Sequence, residues 1–306
     1  MNRYVNWISG SRRGAQAGRL ASVATLAIAA ALQLGAAPAI SAQQADTNAY
    51  TIQRTYKAGD VDRYKIELSG AISGMEATGQ TGVMRFKMSL VNKETTKSVN
   101  ADGTAVVKSE VETALAKLGD QELDASSYIP VTTMTRDRRG RVLSMKAEGG
   151  AAGPFGPGGD PGQMLSNSAI NFYPAAPVKV GDTWKVQPPT GTQKASLFAG
   201  GEGTATFVAV EIVGGVRTAR IKSLTDAVIK PMLAPEASGV DPSQLPKQIK
   251  VHFEGVGNVD LDTGKLVKLT GVVDFEITTD KGSSGKNRIE LTSLLDTLDN
   301  KPAAGK

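Results

Sequence analysis

Cysteine is missing from all 306 residues. That excludes disulfides, thiolate nucleophiles, cysteine-held zinc or iron–sulfur clusters and a lipidated N-terminal cysteine. Histidine occurs once, as His252, so a Ser-His-Asp relay or a histidine metal site has only that residue to draw on. No serine stands in the Gly-x-Ser-x-Gly spacing of a nucleophile elbow. Aromatics amount to 5% of the chain, and after residue 42 no apolar run is long enough to span a bilayer as a helix. The hydrophobic core and β-ladders must therefore hold the fold without covalent help.

Acidic residues are absent from residues 1–42, where Arg3, Arg12, Arg13 and Arg19 precede an Ala/Leu-rich run from Leu20 to about Ala37. Small residues follow at Ala37-Pro-Ala39 and Ile40-Ser-Ala42, the layout of a secretory signal peptide cleaved after Ala39 or Ala42. An uncleaved anchor is the competing reading, but much of the run is alanine, which anchors weakly. Ser11-Arg12-Arg13 lacks the apolar residues that follow in a twin-arginine signal, which favours general secretion. The full chain carries a formal charge of +5, and removal of those four arginines with their segment leaves +1. A nearly neutral chain has no electrostatic footprint for nucleic acid or an anionic membrane. Export without cysteine predicts a periplasmic or extracellular bacterial protein.

From Tyr50 onward the dominant period is two. Met84, Phe86, Met88 and Leu90 alternate with Arg85, Lys87 and Ser89, as in a half-buried strand. The composition of Glu112–Tyr128 permits a short helix, interrupted by Gly119-Asp120. Asp160-Pro161 can start another through Gln163–Asn171. Pro231–Pro246 is a proline-punctuated insertion. Val267, Leu269, Val273, Phe275 and Ile277 share one face of Lys265–Thr279. At ~3.3 Å per residue that strand would run roughly 50 Å, so Gly271 is expected to let it bend.

Two turn signatures recur at nearly one offset. Gly59 and Gly181 are 122 residues apart, and Gly140 and Gly264 are 124 apart, with Gly140-Arg-Val-Leu143 echoed by Gly264-Lys-Leu-Val267. The predicted fold is all-β, or mainly β with short helices, in two tandem, related antiparallel curved-sheet halves. Its parts are a signal peptide (1–42), a first β-rich half (43–148), a Gly/Pro-rich linker loop (149–163), a second β-rich half (164–297) and a flexible tail (298–306).

Pro174-Ala-Ala-Pro-Val-Lys-Val-Gly-Asp-Thr-Trp184, with the later turn Asp260-Leu-Asp-Thr-Gly-Lys265, resembles a family of secreted bacterial β-rich proteins of unknown function. In that family the first motif opens the C-terminal half. The resemblance covers most of residues 50–295 and implies no catalytic residues. Long strands with a one-sided apolar face also look like the half-barrels of bacterial lipoprotein carriers, a likeness of architecture alone.

Several polar constellations have simple structural readings. His252 shares its strand parity with Glu254, Asn258, Asp260 and Asp262 and reads as a solvated strand residue. Asn258-x-Asp260-x-Asp262 offers oxygen ligands, but the glycine and glutamate of an EF-hand loop are replaced by Thr263 and Leu269, so it reads as a polar strand end entering a turn. Gly282-Ser-Ser-Gly-Lys286 lacks the spacing of a phosphate loop and reads as a turn. Met84, Phe86, Met88, Trp184 and Phe275 are the candidate contacts for an apolar ligand, weighed against ordinary core. The sequence thus points to an exported non-enzymatic binding protein without catalytic residues, metal or cofactor, whose partner is a lipid or a lipidated envelope protein. A structural or interaction module of the envelope is the first alternative, and a secreted hydrolase-like enzyme the second.

Overall fold

In the computed structural model, residues 47–73, 83–148, 173–186, 198–229, 247–279, 282–283 and 287–296 are described. The signal segment, the linker 149–163, the helix expected over 163–171, the insertion 231–246 and the tail fall outside them. Thirteen strands follow in chain order: β1 (Val61–Ile72), β2 (Met84–Val99), β3 (Ala105–Leu118), β4 (Gln121–Asp124), β5 (Val131–Arg136), β6 (Val142–Glu148), β7 (Thr183–Val186), β8 (Phe198–Val213), β9 (Val216–Ile229), β10 (Gln248–Asp260), β11 (Leu266–Thr279), β12 (Gly282–Ser283) and β13 (Asn287–Leu295). All join one sheet in the order β6-β5-β3-β2-β1-β13-β11-β10-β9-β8-β7, with β4 and β12 as short additions to β3 and β11. Every ladder is antiparallel. Each wing is an up-and-down meander, and the first and last long strands, β1 and β13, join them. Among the described residues no ladder joins β6 to β7, so the sheet is not closed into a barrel.

The segment allowed as a helix over Glu112–Tyr128 is mostly extended. β3 runs on to Leu118, Gly119 turns at φ 59°, β4 folds back, and only Ser126–Tyr128 forms a 3-10 turn. Cross-strand pairing of Leu115–Leu118 with β4 overrides the local preference of Ala, Leu and Lys for helix.

How tightly the sheet rolls follows from its hydrogen bonds. Arg54 N donates to Arg138 O (2.7 Å) beyond β5, and Thr55 N donates to Thr263 O (2.8 Å) ahead of β11. Five ladder steps separate β5 from β11, roughly 24 Å along the sheet. Through two consecutive residues the same carbonyls are no more than about 9 Å apart. The sheet must curl until these turns nearly meet, with residues 50–56 strapped between them. Gly264 makes room for that strap, since a Cβ there, at φ +65°, would lie 2.1 Å from the Gln53 carbonyl oxygen.

Curvature sorts the two faces. Leu68, Phe86, Met88, Leu90, Phe207, Ile221, Phe253, Leu269 and Leu291 fill one buried cluster with the strap's Ile52. The opposite parity carries ion pairs such as Arg63–Glu112, Lys93–Glu110 and Lys222–Glu254. Glycines on the inner rows hold aromatics flat. Gly255 pairs with Gly271, and a Cβ on either would lie 2.4 or 2.9 Å from the Phe253 ring. β11 thus remains one 14-residue strand, with Gly271 beneath that ring.

The two Lys-x-Gly-Asp turns fold alike. Gly59 N donates to Thr96 O while Thr96 N donates to Asp60 O, and Gly181, Asp182 and Phe207 repeat the pattern.

Gly255→Ala should cost about 1–3 kcal/mol by overpacking against the ring. The loss should show as a lower urea midpoint and should largely vanish in a Phe253→Ala background. Additive losses would show that the ring does not rest on the glycine.

Candidate functional site

The inner rows carry a polar cluster at the end of the sheet that bears the tight turns. Asp62 and Tyr64 lead β1, Asn92 and Glu94 follow Leu90 on β2, and Arg136 follows Met134 on β5. The strap adds Arg54 and Tyr56, and Tyr173 enters ahead of β7. Arg54 Nη2 donates to Asp62 Oδ2 (2.5 Å), and Lys265 Nζ donates to Asp62 Oδ1 (2.6 Å). Arg136 Nη1 donates to Glu94 Oε2 (3.0 Å). The Arg54 guanidinium sits 5.3 Å from the centre of the Tyr56 ring. Tyr173 ties the site to the turns, its hydroxyl donating to Gly264 O (2.7 Å) while its carbonyl accepts from Arg139 Nε (2.9 Å). Between these groups lies a cavity of about 60 Å³, polar toward the strap and lined by Ile66, Leu90 and Leu266 deeper in.

Burial dominates the electrostatics. It raises the Tyr64 phenol well above its ordinary value and raises Tyr173 and Tyr56 as well, against the pull of Arg54 and Arg136. Burial also opposes the charge on the two arginines. The surrounding tyrosines and carboxylates outweigh it and hold both guanidinium groups above their ordinary range. The cluster therefore holds charged arginines beside neutral phenols, a set suited to binding an anion.

The opposite end of the concave face is apolar. Register places Gly201, Ala227, Val251 and Phe275 in one cross-strand row, with Ile249 opposite Ile277 and Val273 opposite Ile289. Ile249, Val251, Phe275, Ile277 and Ile289 are only partly buried. A cleft of about 580 Å³ at this end is lined mainly by the opposite, outward parity, by the cross-strand row Glu202, Asp226, His252 and Asp274, with Ala227, Val251 and Phe275 beside it.

The five candidate apolar contacts do not converge. Phe86 and Met88 are core, 7% and 3% exposed, with Phe86 lying against Gly70. Trp184 is half-buried against the same core. Phe275 alone lines the larger cavity. Met84 stands opposite Ile72 on β2, and its side chain is outside the described residues.

His252 is exposed, its Nδ1 2.8 Å from Asp226 Oδ1. Asn258 and Asp260 keep one parity on β10, whose pairing with β9 is regular there, because the extra residue of the bulge beside them is Val267 on β11. Asn258 is buried and donates to Glu211 Oε1 and Thr218 Oγ1. Asp260 instead caps the turn, accepting from Asp262 N and Thr263 Oγ1. Gly282-Ser283 pairs with β11, and residues 284–286 lie outside the described set. The polar cluster itself was missed at the sequence level. Its signal is a charge on the apolar parity, as in Asp62-x-Tyr64-x-Ile66 and Leu90-x-Asn92-x-Glu94.

No family model matches the chain, and no curated protein matches it. Among solved structures, a triple mutant of the Rh. blastica porin aligns at 9% identity over 77% of this chain and 100% of its own, with a TM-score of 0.22. So loose a superposition bears on neither topology nor function. The side chains point the other way from those of a membrane barrel, which is apolar outside and polar within. Here the described inner face is apolar and the outer face carries ion pairs.

Two outcomes follow for the polar cluster. Glu94→Gln leaves Arg136 buried without its counter-charge and should cost about 3–5 kcal/mol in chemical denaturation. The phenols of Tyr56, Tyr64 and Tyr173 are neutral in the fold and have raised pKa values. Their stabilisation is therefore complete below the ordinary value of 10 and is lost as pH climbs through the folded values. Their phenolate absorbance should appear only as the fold is lost at high pH. Titration of every tyrosine near pH 10 with the fold intact would contradict this.

Proposed function

We propose that the chain is an exported, non-enzymatic binding protein of the bacterial envelope. Its ligand is apolar, a lipid or the acyl chains of a lipidated partner. The half-exposed strip of Ile249, Val251, Phe275, Ile277 and Ile289, at the end of the rolled sheet away from the tight turns, carries this reading. An apolar row left short of full burial on a concave face gains when a hydrocarbon covers it. The N-terminal arginines and Ala/Leu run support export, and the near-neutral remainder suits a ligand recognised by burial more than by charge.

Among the described residues β6 and β7 are the outermost strands of the sheet, which favours a second reading, an interaction module that pairs strands with another protein.

Native mass spectrometry of protein purified from the envelope fraction separates the two. A co-purifying adduct of lipid mass is expected, and a clean apo mass would defeat the first reading. A retained protein partner would favour the second. Phe275→Asp should weaken binding of a fluorescent acyl probe by about tenfold or more while leaving the thermal midpoint near that of the parent. Unchanged probe affinity would remove the strip from the site.

A further inference from the structure

The polar cavity at the tight-turn end is independent of the apolar strip, and its charge is incompletely matched. Arg54 and Arg136 each have side chains only 10% exposed, and Lys265 is 22% exposed. Facing these three cations are two enclosed carboxylates, Asp62 and Glu94, at 6% and 13%. Asp60 stands 3.7 Å from Lys265 but is 34% exposed, so solvent screens it. Asp62 is already shared, one oxygen to Arg54 and the other to Lys265.

Two donors remain. Arg54 Nη1 and Arg136 Nε are buried without a hydrogen-bond partner. Both arginines line the same cavity, together with Tyr56, Tyr64 and Tyr173. An unpaired buried guanidinium N–H costs about as much as a lost charged hydrogen bond. Water could satisfy the two N–H groups, but it cannot neutralise the surplus positive charge.

We infer that this cavity is a binding site for a carboxylate, held between Arg54 Nη1 and Arg136 Nε. A carboxylate is planar, brings one negative charge and accepts from two donors at once. About 60 Å³ admits a group of acetate size, and Ile66, Leu90 and Leu266 form the wall against which its carbon end would rest. A free short acid and a longer acyl acid present the same head, and the chemistry at the arginines is the same for both.

The test uses the purified protein labelled with nitrogen-15, titrated with sodium acetate against sodium chloride at matched ionic strength. The arginine Nε–H resonances are followed by NMR. A saturable shift of the Arg136 resonance with acetate, and none with chloride, is expected. Arg136→Lys keeps the ion pair with Glu94 but removes the Nε donor, and it should weaken the acetate midpoint, read in that variant from the Arg54 Nε–H resonance, by about tenfold or more. Arg54→Lys should do the same from the other side, so one misfolded variant does not leave the question open. A resonance that does not move, that moves equally with chloride, or that saturates unchanged in both folded lysine variants would overturn the site. Octanoate distinguishes the sources: a tighter midpoint than acetate assigns the site to an acyl acid, and exclusion of octanoate assigns it to a short free acid. Neither result depends on acyl-probe binding at Phe275, so this site and the apolar strip can fail separately.

Discussion

The strap holds the rest of the structure in place. Two consecutive backbone N–H groups, on Arg54 and Thr55, bond to turns that belong to opposite wings of the sheet. A sheet of this width would otherwise flatten toward an open twist. Pinning the two turns to one short segment fixes its radius, and the radius decides which inner side chains meet. Ile52 fills the middle of the core from the same segment, and Arg54 reaches the carboxylate of Asp62. Tyr173 repeats the tie from a second crossing, bonding both to Arg139 and to Gly264.

The concave surface that results is graded along the strands. Charged and phenolic groups gather where the turns are tight, and aliphatic and aromatic groups gather at the other end, with a packed core between them. The core is dense because glycine and aromatic positions alternate across neighbouring strands. Phe253 rests on Gly255 and Gly271, and Phe86 rests on Gly70. The middle of the sheet is filled by the protein's own side chains, and any ligand meets the inner face near its ends.

Much of this architecture was legible in the sequence, because period-two alternation is a direct image of a sheet with one buried face. Phe86, Met88 and Leu90 lie inward as their spacing requires, and Gly59-Asp60 and Gly181-Asp182 turn where they stand. The site was less legible. Asn258 is buried by its bonds to Glu211 on β8 and Thr218 on β9, a tertiary contact that no count of alternate positions anticipates. Trp184 and Phe275 share an apolar character but sit on strands at different depths of the sheet, so their separation depends on tertiary order alone. Arg54 and Tyr173 belong to segments without regular structure, whose route across the sheet is set by distant turns. Glu94 and Arg136 continue the parity of Leu90 and Met134 as charges, and only the roll of the sheet shows that they face each other.

The pairing of β1 with β13 joins residues more than two hundred positions apart, Tyr64 with Leu295 for instance. The strap, first in the chain among the described residues, finds one of its acceptors only at Thr263. The strap cannot close before residue 263 exists, nor the β1–β13 pairing before residue 295, and loop closure over such lengths is entropically late. Folding is thereby deferred until β13 has been made. A chain built this way stays threadable until its last long strand has emerged.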